Sequence, residues 1–110
     1  MNTSADPRPL VFVTVGTDHH RFDRLMDWVE RWLGTVDPAE VRCVVQHGYS
    51  RPVAGAECVR LLAHPDLLGH LGQAAVVLAQ GGPGSIMDAR GCGVLPIVVP
   101  RVRRLREVVD

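Results

Sequence analysis

The sequence predicts an α/β domain in which a parallel sheet of about five strands carries helices on both faces. Three observations predict it. Five short apolar runs, at 10–15, 41–45, 58–63, 74–79 and 97–99, are rich in valine and leucine and mostly do not alternate with polar residues. Strands covered on both faces have that pattern. The order strand, helix, strand, loop, strand, helix, strand, helix, strand calls for right-handed crossovers, and hence a doubly wound, Rossmann-like sheet. The length of 110 residues suits one domain. Ligands of such sheets bind outside the carboxyl ends of the strands, so function is expected in the loops that follow them.

Each element has its own signature. Residues 1–9, "MNTSADPRP", are polar and predict a flexible extension ahead of a domain over 10–110. The segment "RFDRLMDWVERWL" places Phe22, Leu25, Met26, Val29, Trp32 and Leu33 on one face, with Trp28 at its margin and Gly34 as the stop. These are core positions rather than cofactor contacts. Residues 46–57 have turn composition and read as a loop. "PDLLGHLGQ" predicts a short helix with Pro65 in its first position, weakened by roughly 1 kcal/mol at each of Gly69 and Gly72 relative to alanine. A further helix is expected from near Ser85. The last strand should begin at or after Pro96, which has no amide proton to donate.

Composition excludes several functions. Twelve basic side chains balance twelve acidic ones, so no global field points to a nucleic acid. Cys43, Cys58 and Cys92 are odd in number and form no C-x-x-C pair, which disfavours a zinc site or a disulfide framework and suits a reducing compartment. The run "LVFVTV" is too short for a signal segment or a membrane span. A cytoplasmic protein is expected, with any membrane contact made through a partner.

The loop "AQGGPGSIMD" leaves the fourth strand and enters a helix. Gly81, Gly82 and Gly84 let backbone N–H groups approach a ligand, and the helix terminus behind them favours a diphosphate. Neither a Walker lysine nor a full G-x-G-x-x-G is present. Ser85 and Asp88 have two readings. S-x-x-D is close to a capping box, which contributes roughly 1 kcal/mol and needs no ligand; alternatively Asp88 accepts hydrogen bonds from a ribose diol. The loop "VTVGTDHHRFDRL" repeats the logic after the first strand, where Gly16 and Thr17 could hold a second part of a phosphate chain. Adjacent His19 and His20 point in different directions and read as solvated loop residues rather than metal ligands.

"VFVTVGT" and "GGPGSIMDARGCGVLPIVVP" together resemble the C-terminal domain of family 28 glycosyltransferases. The branch resembled is that of short catalytic subunits of two-chain enzymes. The similarity runs from about Leu10 to Arg101. It implies the C-terminal half of a GT-B fold, which binds a UDP-sugar donor while a second, membrane-associated chain supplies a lipid-linked acceptor. It implies that a hexosyl group is transferred in polysaccharide or glycolipid synthesis, and that no cofactor or obligatory metal is needed. By the same resemblance Gly16 and Thr17 face the donor phosphates, and Gly81, Gly82, Gly84 and Ser85 wrap the diphosphate. Asp88 stands where a glutamate usually binds the ribose, and the loop around Ala63 and His64 meets the uracil through backbone atoms.

The sequence departs from that pattern in four places. Aspartate is shorter than glutamate, Gln80 stands where histidine, serine or arginine is common, and Pro96 comes one position late. "RVRRLREVVD" reads as a basic helix stub, so residues 10–110 are expected to lack the family's final helices; Arg101, Arg103, Arg104 and Arg106 are then solvated or meet acidic lipid or a partner. No general base is assigned: His19, His20 and His64 qualify only by their chemistry. Two alternatives stand beside the transferase reading, a non-catalytic partner-binding module and half of a UDP-sugar 2-epimerase-like enzyme.

Overall fold

A computed structural model describes residues 6–16, 20–80 and 83–101. The central strand is β1 (Leu10–Thr14), buried along its whole length. Its side chains alternate between two cores, as successive residues of a strand must. Val11, Val13 and Val15 pack with Phe22, Leu25, Met26 and Val29, while Leu10 and Phe12 pack with Val44, Leu71, Val77, Ala79 and Ala89. Two-sided burial is why the run reads as continuously apolar.

From β1 the chain passes through α1 (Asp23–Leu33) to β2 (Arg42–Gln46), and then through a loop to β3 (Glu57–Val59). It returns across the sheet by α2 (His64–Gln73) to β4 (Ala74–Ala79), and α3 (Pro83–Gly91) leads to β5 (Ile97–Val98). The order is β3-β2-β1-β4-β5 with every pair parallel. This is the expected doubly wound sheet, with α1 on one face and α2 and α3 on the other. The direction of winding reverses between β1 and β4, which opens a crevice at their carboxyl ends.

Several boundaries differ from the sequence reading. The run at 58–63 is mostly not strand: regular pairing ends where Val59 meets Gln46, the last residue of β2, one further bond runs from the Gly48 N–H to the Arg60 carbonyl, and Leu61 lies 52% exposed. The loop expected at 46–57 spans 47–56, because Gln46 and Glu57 belong to strands. In the last turn of α1 it is Leu33 that packs against the core, and Trp32, like Trp28, is on the outside. Helix α2 begins at His64, one residue ahead of Pro65. Helix α3 begins at Pro83, which suits a residue without an amide proton in the first turn. Ser85 is therefore inside the helix and is not its cap, and the capping-box reading of Ser85 and Asp88 fails.

Strand β5 is not covered on both faces as expected. Ile97 pairs with Leu78 and so lies on the α1 side of the sheet, but α1 packs over β1 and β2. Ile97 remains 55% exposed, with Val76 also exposed on that side. Cys43, buried beside α1, has its thiol pushed up to about 12 by desolvation. The 47–56 loop is tied to α1 by Arg51, whose backbone N–H donates to Asp23 and whose guanidinium meets Asp27 and Glu30. Arg51 in turn holds the Glu30 carboxyl below its usual range.

Candidate functional site

The crevice between β1 and β4 is an open cleft of about 370 Å³. Thr14, Gly16, Gln46, Leu61, Leu62, His64, Leu67, Gln80, Gly84 and Asp88 line it. Gly16, His64, Gly84 and Asp88 are thus brought together from positions up to 72 residues apart, as the sequence reading required. Ser85 lies in the first turn of α3, and its side chain is outside the described residues, as are Thr17, Gly81 and Gly82. His19 is also outside them, so its reading as a solvated residue gains no structural account.

The floor of the cleft is a chain of hydrogen bonds that the sequence reading missed. Thr14 Oγ1 accepts from the Gly16 N–H at 3.2 Å and from Gln46 Nε2 at 2.9 Å. Gln46 Oε1 accepts from the Leu62 N–H at 2.8 Å. Both side chains are buried at 3% exposure, where an unpaired polar group is costly. The bonds therefore fix the end of β1, the end of β2 and the approach to α2 relative to one another. The signal was available in the sequence: Thr14 lies within one apolar run, and Gln46 and Gln80 each directly follow one.

The wall is made by two helices. His64, first residue of α2, meets Asp88, in the second turn of α3, with Nε2 3.3 Å from Oδ2. Both side chains reach solvent, His64 more than Asp88. Gly16 has φ +72°, and a methyl group there would run into the side-chain amide of Gln80. Only glycine allows the two loops to approach this closely without rearrangement.

Arg101 corrects the expectation of a solvated or outward-facing arginine. Its Nε donates to Gln80 Oε1, and its NH1 and NH2 donate to the carbonyls of His20 and Val15 at 2.9 Å each. The guanidinium also stacks over the buried Phe22 ring, 4.9 Å from its centre. Arg103, Arg104 and Arg106 lie outside the described residues. Among the described residues no three His, Cys, Asp or Glu side chains converge as metal ligands, and no helix is long and apolar enough to cross a membrane.

This fold and crevice define a doubly wound α/β domain with a cleft at the switch point of its sheet, and comparison with known proteins narrows the class. No protein-family model matches the chain. The chain is 31% identical over 106 aligned positions to the UDP-N-acetylglucosamine–N-acetylmuramyl-(pentapeptide) pyrophosphoryl-undecaprenol N-acetylglucosamine transferase of Shewanella woodyi, a match covering 83% of this chain and 29% of the relative. The corresponding transferase of Shewanella pealeana is 30% identical with the same coverage. The chain thus spans under a third of the length of these relatives. Among solved structures, the glycotransferase of kitacinnamycin superposes with a TM-score of 0.72 at 18% identity, covering 93% of this chain and 27% of that one. SnogD, a glycosyltransferase from Streptomyces nogalater, gives 0.62 at 23% identity, covering 87% and 27%. The fold is that of one domain of GT-B glycosyltransferases, and the resemblance to family 28 read from the two loops holds.

Proposed function

We propose that this chain is the donor-binding part of a glycosyltransferase that moves a hexosyl group, N-acetylglucosamine or a similar sugar, from UDP to a lipid-linked acceptor. The observation that carries the proposal is the gathering of Gly16, His64, Gly84 and Asp88 around one cleft at the switch point of the sheet. The names of the transferases similar in sequence specify a UDP-sugar and a pyrophosphoryl-undecaprenol-linked acceptor, which supports the same substrate classes here.

In this reading the donor diphosphate lies at the N-terminus of α3, held by backbone groups of Gly81, Gly82, Gly84 and Ser85 and, from the β1 side, by Gly16 and Thr17. Unpaired N–H groups and the helix dipole stabilise the charge that develops on the leaving UDP, with no obligatory metal. Oδ2 of Asp88 is the oxygen that meets His64, and Oδ1 is the one we assign to the ribose hydroxyls. The backbone at Ala63 and His64 would face the uracil. The general base and the acceptor site belong to a second, membrane-associated chain, which would hold this cytoplasmic domain at the membrane.

Calorimetric titration with UDP and UDP-N-acetylglucosamine tests the reading. Saturable binding is expected, and Asp88→Ala should weaken UDP by about tenfold, the loss of one hydrogen bond to a charged acceptor. Because Asp88 does not cap α3, its melting temperature should barely move. The absence of both heat and thermal shift at millimolar ligand would overturn the proposal. A second reading, a non-catalytic module that acts by binding a partner, is favoured by the uncovered Ile97 and Val76 beside β5. It predicts partner capture without UDP binding.

A further inference from the structure

Arg101 is the residue whose bonds the donor reading leaves unused. Its guanidinium donates to Val15 O and His20 O, the carbonyls that flank residues 16–19, and to Gln80 Oε1, at the point where the chain leaves β4. One planar group thus closes the base of the first loop and ties it to the start of the second. The Phe22 ring packs against it, and Arg24, whose guanidinium lies 5.2 Å from the centre of the same ring, donates to Pro100 O. The Phe22 N–H is itself held by Ser50 Oγ at 2.6 Å. Gly16 then packs against the Gln80 amide that Arg101 orients.

We propose that Arg101 is a positioning residue for a nucleoside diphosphate: it sets the spacing of the two loops that face the phosphates, without touching the ligand itself. The inference rests on the donor-site reading above. A lysine cannot reproduce it, because a single ammonium group cannot present a planar fork to three acceptors. The geometry needed by a diphosphate is strict, since misplacing a contact by about 1 Å can cost up to a hundredfold. Uridine has no phosphate and should be indifferent to the spacing.

The test is calorimetric titration of the full chain and of Arg101→Lys with UDP and with uridine, each alongside a thermal melt. The expected result is a loss of about tenfold or more for UDP, with uridine within about twofold of the unsubstituted chain. Equal losses for both ligands would reduce Arg101 to a general structural role and overturn the proposal, as would unchanged UDP affinity. If Arg101→Lys gives no cooperative melt, Gln80→Met carries the test by removing one acceptor while keeping side-chain length; it should weaken UDP and spare uridine, and equal binding to the unsubstituted chain would overturn the proposal. Failure of the unsubstituted chain to bind UDP would instead overturn the donor-site reading, and this inference with it.

Discussion

At the scale of single residues, the cleft depends on buried polar groups that satisfy one another. Gln46 does two tasks, donating to Thr14 and accepting from the Leu62 N–H. Gln46→Leu keeps much of the volume but leaves that N–H without its acceptor in a partly buried setting. It should destabilise the protein by about 1–3 kcal/mol, read from urea denaturation midpoints at unchanged m-value. An unchanged midpoint would mean that water replaces the amide at no cost. Cys43 shows the opposite case, a buried group kept neutral. Its thiol, raised from 9.0 to about 12, holds its proton in the fold where the unfolded chain would release it, so this contribution erodes as pH rises above 9.0.

At the scale of elements, the two phosphate-facing loops place opposite demands on their glycines. Gly16 is at φ +72° and abuts Gln80, whereas Gly84 lies in the first turn of α3 with nothing within 4 Å of an added Cβ. Gly16→Ala should therefore cost roughly 1–2 kcal/mol from left-handed strain alone, and more if Gln80 cannot move aside. Gly84→Ala should stabilise the helix by roughly 0.5–1 kcal/mol and yet weaken UDP if the backbone approaches the diphosphate there. Thermal melts with and without UDP separate the two substitutions. Much at this scale was legible in the sequence. The apolar runs gave away buried parallel strands, and the position of Pro96 marked the start of β5. The extent of β3 was not legible, because it is set by its register with Gln46 and not by its own apolar residues. Nor was the start of α3, where Pro83 opens the helix two residues before Ser85, so that the S-x-x-D spacing misled. Arg101 was hidden for a different reason: its acceptors are two backbone carbonyls and an amide 21 to 86 residues away, and none of them leaves a local pattern.

At the scale of the whole molecule, the sheet order concentrates these features at one end. Winding outward from β1 to β3 and then back through β4 to β5 leaves the crevice where the two directions part, and every loop read as functional either opens there or feeds it. The opposite end of the sheet carries a second cleft, lined by residues including Leu33, Val36, Val41 and Gly55, to which no role is assigned. The β1/β4 crevice is the nucleotide site we propose. The most direct measurement is a titration of the protein with UDP followed in proton–nitrogen correlation spectra. Saturable shifts are expected at Gly16, Leu62, His64, Gly84 and Asp88, with Val36, Val41 and Gly55 unmoved. Shifts centred on that second cleft, or a spectrum indifferent to millimolar UDP, would contradict that assignment.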